Sequence, residues 1–241
     1  MRKSLAILAA CGLLLLTSAP GTAQDVPAQD IPTWPGRLGA YVFEVTRDGK
    51  PIGTQTVTLK QDGDVVTVTT ESTIAVKMLG IVVYRMHQVL TDVYRGQRLV
   101  EVSAETKDPQ GFRAGKITRD GDRWTGKLGQ QRRDFACDCA SSSTMPQLAI
   151  LKGGEMIEAS EVQRRSVSIA DRGTETLDLP EGSVKARHFA VKGEIEREVW
   201  YDPAGNLVAA QQIGSDGSLI RQTLMSDPQA TRATGQEASE P

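Results

Sequence analysis

Histidine, cysteine and aromatic residues are all scarce in this chain, and each shortage excludes a class of site. The 241 residues include two histidines, three cysteines and only 5% aromatic residues. Catalytic triads and most zinc sites need histidine or clustered cysteine. The chain also lacks a Gly-x-Ser-x-Gly elbow, a His-Glu-x-x-His pair, a phosphate loop and a calcium loop. We therefore predict no catalytic residues, no metal, no cofactor and no enzymatic activity.

Long apolar runs and strong net charge are also missing. The longest uncharged apolar stretch is Leu5 to Leu16, about 12 residues, whereas a spanning helix needs about 20. We therefore predict no transmembrane span. The formal charge is −2, and removal of an N-terminal segment that contains Arg2 and Lys3 would change it to −4. A mildly acidic chain of this kind argues against nucleic acid or an anionic lipid surface as an electrostatic partner.

The N-terminus has the anatomy of a secretory signal peptide. Arg2 and Lys3 precede the apolar stretch, and Gly21-Thr22-Ala23 suits a cleavage site for small residues. We predict a signal peptide over residues 1–23, cleavage near Ala23 and a periplasmic protein that begins near Gln24. Disulfide bonds form readily in that compartment.

Residues 8 to 11, Leu-Ala-Ala-Cys, resemble a lipobox and give a second interpretation of the N-terminus. Lipidation at Cys11 would leave only Ser4 to Ala10 as the apolar region, which is at the short limit for a signal sequence. It would also leave Leu13 to Leu16 exposed beside the anchor. We therefore favour the soluble periplasmic product over a lipoprotein anchored at Cys11.

Turn signals at regular spacing predict an antiparallel β domain over residues 40–226. Asp-Gly pairs at 48–49, 62–63, 120–121 and 216–217, with Asp-Pro-x-Gly at 108–111 and 202–205, are typical of hairpin turns. Between the turns lie stretches rich in β-branched residues. The strands expected in the second half of the pattern are Arg98 to Thr106, Phe112 to Arg119, Arg164 to Ala170, Val184 to Val191, Ile195 to Tyr201, Leu207 to Ile213 and Leu219 to Met225.

The rest of the chain contributes one helix and two flanking segments to the prediction. "SSTMPQLAILKGG", residues 142–154, predicts a short mid-chain connecting helix that ends at Gly153. Residues 24–39 hold three prolines and predict a linker, and residues 227–241 are small and polar and predict a disordered tail.

The stretch "IAVKMLGIVVY", Ile74 to Tyr84, does not alternate as a half-buried strand should. Lys77 and Gly80 are its only positions that are not apolar. One interpretation is a strand buried on both faces, or one bent at Gly80. The other is an apolar groove or exposed lip, since exposed apolar patches mark contacts with ligands, partners or membranes.

Trp200 is a further candidate, because a tryptophan in a strand can form the floor of a ligand site. The predicted apolar-groove residues are Ile74, Val76, Met78, Ile81, Val83, Tyr84 and Trp200.

Several of these segments carry a family resemblance. "YVFEVTRDGKPIGTQTVTL", "VKMLGIVVYRMHQVLTDVYRGQRL", "GSVKARHFAVKGEIEREVWYDPAGNLV" and "GSDGSLIRQTL" occur in this order from about Tyr41 to Leu224. They resemble domain-of-unknown-function family 6134, β-rich secreted bacterial proteins with no assigned activity. The resemblance implies a mainly β, curved antiparallel sheet, distantly similar to the half-barrels of Lol-type lipoprotein carriers, which hold lipid in an apolar concavity.

Cys137-Asp138-Cys139 departs from that family pattern and gives a rival function. A disulfide across one residue closes a very small loop, and an exposed, strained one is easily reduced. The pair is either structural or incidental, or it is a redox pair or a soft-metal thiolate site for Cu(I) or zinc, and the last two give the alternative function. A tetrahedral site would also need His87 or His188, which are more typical of ordinary strand histidines.

The leading hypothesis is therefore non-catalytic binding or carriage of an apolar or amphipathic ligand, such as a lipid, or of an envelope protein. Burial of apolar ligand surface at about 25 cal/mol per Å² would supply the affinity.

Overall fold

The computed structural model describes Trp34 and residues 36–228. The predicted signal peptide, Cys11, most of the predicted linker and most of the predicted tail lie outside the described residues. The described chain forms one 14-stranded antiparallel sheet. The strands are β1 (Gly39–Arg47), β2 (Lys50–Asp62), β3 (Val65–Met78), β4 (Ile81–Arg95), β5 (Arg98–Asp108), β6 (Gly111–Asp120), β7 (Arg123–Leu128), β8 (Gln131–Ala136), β9 (Gly154–Glu158), β10 (Gln163–Leu179), β11 (Gly182–Gly193), β12 (Arg197–Tyr201), β13 (Leu207–Ile213) and β14 (Leu219–Ser226).

Neighbouring strands in the sheet are almost all neighbours in sequence. The order runs from β8 down to β1, then from β14 down to β9. The first and last strands therefore pair at the middle of the sheet, for example Glu44 with Thr223. Within residues 36–228, β8 and β9 remain edge strands, so the sheet does not close into a barrel. The prediction of a mainly β, curved antiparallel sheet is confirmed.

The chain from β8 to β9 runs through residues 137–153, and its first 15 residues, 137–151, form a segment that lies against one face of the sheet. We call it the interior segment. It contains the single 3₁₀ turn Leu148–Ile150 where a connecting helix was predicted. Met145 has a φ of 47°, and Pro146 has no N–H, so the backbone cannot continue as a helix there. Backbone groups of this segment bond to the sheet instead, as where the Ser143 N–H donates to the Ile157 carbonyl of β9 at 2.7 Å.

The inner face of the sheet is apolar and is filled by the interior segment. Alternate residues of β1, including Tyr41 and Phe43, point to this face and are buried. Met145 and Ile150 of the interior segment belong to the same core cluster. The cavity left beside Tyr41 and Pro146 has a volume of about 10 Å³, room for one water at most. This part of the concave face therefore holds the protein's own side chains, unlike the lipid-holding concavity that the resemblance implied.

Trp34 also contributes to the core, although it falls within the predicted linker. It is 5% exposed, and its ring meets Tyr94 edge to face with 4.9 Å between centroids. Trp34 thus packs into the core although it precedes β1.

Candidate binding site on the β3–β4 arm

The stretch from Ile74 to Tyr84 forms a hairpin that extends beyond its neighbours. The β2–β3 ladder ends at Gly53 and Ile74, and the β4–β5 ladder ends at His87 and Lys107. Residues 75–85 pair only with one another, from Ala75 with Arg85 to Met78 with Ile81. We call these residues the β3–β4 arm. Its strands of four and five residues correspond to a length of about 15 Å.

The tip of the arm is a two-residue turn between β3 and β4, so the interpretation as a single strand, buried on both faces or bent at Gly80, is wrong. Leu79 and Gly80 have φ values of 50° and 82°. Two successive residues in the left-handed region are the signature of a tight hairpin turn. Asp48 and Gly49, between β1 and β2, adopt nearly the same conformation, with φ values of 47° and 75°.

Leucine is an unfavourable residue at this tip. A side chain with a Cβ is strained at positive φ, and Asp, Asn or Gly is preferred there. Leu79 is also 98% exposed, so it gains no burial in return. Met78, Ile81 and Val83 are exposed beside it, by 63%, 69% and 51%. The end of the arm is therefore an apolar surface that the fold itself does not use.

An open groove of about 830 Å³ lies where β3 diverges from β2. Its apolar walls come from both strands and from β14. The apolar residues are Pro51, Ile52, Ala75, Val76, Met78 and Met225. Pro51 has no N–H to donate to a ladder, which suits the divergence of the two strands. Gly53 lies at the end of the ladder, where a Cβ would overlap the Thr73 carbonyl oxygen.

Charged side chains surround the groove. Lys50 and Lys77 have no carboxylate partner among the described residues. Arg47 is paired with Asp216, and Asp48 accepts a hydrogen bond from the Leu219 N–H at 2.9 Å. Glu44 lies in the same lining. The groove therefore combines apolar walls with charges that are not all neutralised, a combination that suits an amphipathic molecule.

Six of the seven predicted groove residues lie on or next to the arm, in four different environments. Val76 and Met78 line the groove, and Ile81 and Val83 are exposed on the arm. Ile74 is buried at the end of the β2–β3 ladder. Tyr84 pairs with Val76 and lies within the electrostatic influence of Asp108 and Arg113 on the next hairpin.

Tyr84 and its neighbours form a small polar group at the base of the arm. Arg113 Nη2 donates to Asp108 Oδ2 at 2.7 Å, and this hydrogen bond lowers the pKa of Asp108 and raises that of Arg113. Partial burial, reinforced by the negative charge of Asp108, raises the pKa of the Tyr84 phenol. Tyr84 is therefore neutral at physiological pH, and it does not line the groove.

The structure does not bring Trp200 to this site. Its neighbour Tyr201 points into the main core, where its hydroxyl donates to the Met145 carbonyl at 3.0 Å. Because successive side chains point to opposite faces, Trp200 lies on the other face. It packs there in a separate cluster with Ala186 and Val208. Four strands, β2, β1, β14 and β13, separate it from β3.

His188 stacks on Trp200 with ring centroids 4.4 Å apart. Its Nε2 is 2.6 Å from Glu198 Oε2, and its Nδ1 is 3.4 Å from Glu175 Oε1. The two carboxylates thus bind opposite edges of the ring and do not converge on one point. Across the described part of the chain, no group of three His, Cys, Asp or Glu residues is arranged to hold a metal.

The two cysteines of the rival hypothesis form a disulfide inside the protein. Cys137 and Cys139 are bonded, with 5.2 Å between their Cα atoms, and are 2% and 0% exposed. Trp124 Nε1 donates to the Cys137 carbonyl, and Arg119 Nη1 donates to that of Cys139. A disulfide that serves redox exchange must be accessible to an attacking thiol. The burial of this disulfide favours a structural role at the start of the interior segment.

Asp92 is a buried carboxyl that the sequence interpretation did not select. It accepts hydrogen bonds from Ser142 Oγ at 2.6 Å and Thr144 Oγ1 at 2.5 Å. Its other oxygen has no hydrogen-bond partner within the described structure. Burial raises its pKa to about 6, although the two hydroxyls act in the opposite direction. Asp92 therefore links β4 to the interior segment, and this link lowers the stability of the fold when the carboxyl is ionised.

The sequence contained signals for two features that its interpretation missed, the turn at Leu79-Gly80 and the buried Asp92. Leu79-Gly80 follows the same two-residue turn pattern as Asp48-Gly49, and an apolar residue in such a turn is unusual. Asp92 shares a strand face with Leu90 and Tyr94, so a carboxyl on a buried face could have been inferred. The contribution of β2 to the groove carried no local signal.

Among solved structures, the fold is similar to that of a β-barrel-like protein. The neighbour is described as a beta-barrel-like protein of domain of unknown function DUF1849 from Brucella abortus. It aligns with a TM-score of 0.59 over 78% of this chain and 95% of its own length, at 10% sequence identity. At this identity the likeness concerns the fold alone.

The family model of DUF6134, a domain of unknown function, matches residues 43–225. The chain belongs to this family, and the resemblance drawn from the sequence is confirmed. No curated protein matches the chain significantly. Within residues 36–228, no helix has both the length and the apolar character needed to cross a bilayer.

Proposed function

We propose that this protein binds an amphipathic ligand, without catalysis, in the groove beneath the β3–β4 arm. The observation that carries the proposal is the open groove of about 830 Å³ next to an exposed apolar hairpin. This volume falls in the range of roughly 300–1,000 Å³ that is typical of small-molecule sites. A ligand chain would lie against Val76 and Met78, and its polar end would face Lys50 or Lys77.

The chemistry of the lining supports binding rather than reaction. None of the residues that line the groove is a histidine, cysteine or serine, and Thr54 supplies its one side-chain hydroxyl. Thr54 lies opposite Glu44 in the β1–β2 ladder but makes no hydrogen bond to it in the described structure, whereas covalent catalysis usually requires a nucleophile that is hydrogen-bonded to a base. Asp92, whose pKa is shifted by burial, belongs to the core and not to the groove.

The proposed site of action is the periplasm. The N-terminal signal pattern supports this, and so does the disulfide between Cys137 and Cys139, because such bonds persist in oxidising compartments.

The intact mass of the exported protein tests this location. The expected N-terminus is Gln24 without lipid. A diacylated N-terminus at Cys11 would instead establish a lipoprotein anchored to the membrane.

The Met78→Glu variant tests the groove. Binding of a fluorescent long-chain fatty acid is expected to weaken by about 10- to 100-fold, because burial of a methionine side chain contributes about 1.5–3 kcal/mol. Met78 is largely exposed, so the fold should tolerate the change. Fluorescence titration measures the dissociation constant.

Ile213→Glu is the matched control for the groove experiment. Ile213 is 66% exposed and does not line the groove. Its replacement should leave the fatty-acid affinity unchanged. Equal affinities for wild type and Met78→Glu would reject the groove as the binding site.

A further inference from the structure

We propose that the tip of the β3–β4 arm docks on the surface of an anionic lipid bilayer, with Leu79 and its apolar neighbours inserted among the lipids. The inference rests on the proposed function, because a bilayer surface is the source from which a groove for amphipathic molecules would be loaded. It adds a surface, a partner and an orientation to that function.

The conformation of Leu79 is the first support. The fold accepts a leucine at positive φ with almost its whole side chain in water, although Asp-Gly serves the same geometry at residues 48–49. Neither the turn nor the core benefits from this leucine. A contact that removes Leu79, Met78 and Ile81 from water would compensate for the backbone strain at Leu79 and for the exposure of these apolar side chains.

The charges of the arm are the second support. The sequence contains no Asp or Glu between Glu71 and Asp92, whereas Lys77 and Arg85 lie on the two strands of the arm. Neither cation has a carboxylate partner among the described residues. Cations that flank an apolar tip can contact lipid phosphates while the tip inserts.

The charge of the whole chain does not oppose this local contact. The formal net charge of −2 argued against an anionic surface at the level of the sequence. Screening limits electrostatic interactions to about 8 Å at physiological salt. The arm is about 15 Å long, so the lipid surface responds mainly to the charges of the arm.

The shape of the tip favours a bilayer over a protein partner. A stable protein interface buries about 800 Å² on each side. Two turn residues and the side chains next to them form a small convex point, which suits penetration of lipid head groups better than docking on a protein surface.

Vesicle binding by the chain that begins at Gln24 tests the inference, since this chain retains every described residue. Wild type should co-sediment with vesicles of phosphatidylglycerol and phosphatidylcholine, and much less with phosphatidylcholine alone. Leu79→Asn should bind at least tenfold more weakly, while its melting temperature stays equal or rises, because Asn-Gly suits this turn. Arg85→Glu should also weaken binding and reduce its dependence on salt.

Leu79→Trp reports insertion directly. Its fluorescence should shift to shorter wavelength when anionic vesicles are added, whereas wild type, whose three tryptophans are buried, should show no such shift. Ile213→Asn, at an exposed apolar site on another hairpin, should bind vesicles as wild type does. Equal vesicle binding by Leu79→Asn and wild type, or no preference of wild type for anionic vesicles, would overturn the inference.

The fatty-acid titration separates this inference from the proposed function. Leu79 does not line the groove, so Leu79→Asn should keep the wild-type affinity for the soluble fatty acid while it loses vesicle binding. If wild type binds vesicles through Leu79 but not the fatty acid, the groove function fails and the tip contact stands.

Discussion

The Asp92→Asn variant is expected to lose less stability than the wild type when the pH is raised from 4 to 7.5. Burial raises the pKa of Asp92 to about 6 in the folded protein, from an ordinary value of 3.8. The folded state therefore holds the proton more tightly than the unfolded state. This contribution stabilises the fold below pH 4 and is lost as the pH rises to about 6. A difference of about two pKa units corresponds to roughly 3 kcal/mol.

Urea unfolding of both proteins at pH 4 and pH 7.5 measures this effect. Asn at position 92 does not titrate, so the penalty disappears at neutral pH. Any constant cost of the amide cancels when the two pH values are compared. Asp62→Asn, which replaces an exposed carboxylate at the end of β2, is the control and should follow the wild-type profile. Parallel pH profiles for wild type and Asp92→Asn would contradict the prediction.

Replacement of Trp124 by Ala is expected to lower the free energy of unfolding by about 3–5 kcal/mol, the usual cost of removing a large aromatic side chain from a core. Trp124 on β7 is fully buried. Its Nε1 donates to the Cys137 carbonyl at 3.2 Å, and the Arg119 guanidinium lies 5.7 Å from its ring centroid. It therefore attaches the start of the interior segment to the sheet.

Phe112→Ala is the matched control for Trp124→Ala. Phe112 is an aromatic residue on the adjacent strand β6, but it is 66% exposed. Its removal should change the stability by less than about 0.5 kcal/mol. Chemical denaturation of the two variants compares them directly. Similar losses would mean that the interior segment is not held by its contact with Trp124.

The two buried residues have different consequences for engineering the protein. Loss of Trp124 removes packing at every pH, whereas the cost of Asp92 appears only where its carboxyl ionises. Asp92 is also the point where β4 meets Ser142 and Thr144 of the interior segment. Ionisation of Asp92 therefore lowers the stability at neutral pH. For the same reason, the attachment of the interior segment is sensitive to pH.

Much of the hairpin structure could be predicted from the sequence. The strand predicted at Leu207 to Ile213 matches β13 in full, and the Asp-Gly pair at 48–49 lies in the turn between β1 and β2. These features are local, because a turn residue and a few alternating side chains determine a hairpin. The apolar stretch from Ile74 was also identified, but its turn was not, because Leu79 is an atypical turn residue.

The binding site could be predicted only in part. Val76 and Met78 line the groove, but the residues opposite them on β2 were not selected. Trp200 was selected for its chemistry and lies elsewhere, because the register of β12 turns Tyr201 toward the core and Trp200 away from it. A shift of one residue exchanges the two faces of a strand. No local pattern decided between them.

The sequence by itself determined the class of fold, the positions of most hairpins and the presence of an unusual apolar stretch, since each depends on residues close together in the chain. Only the tertiary structure decided three other features. It pairs β1 with β14 across almost the whole chain, it fills the inner face with the interior segment, and it separates the arm from β2 to open the groove. These depend on contacts between distant residues, whose loop-closure entropy is offset only when the whole sheet assembles.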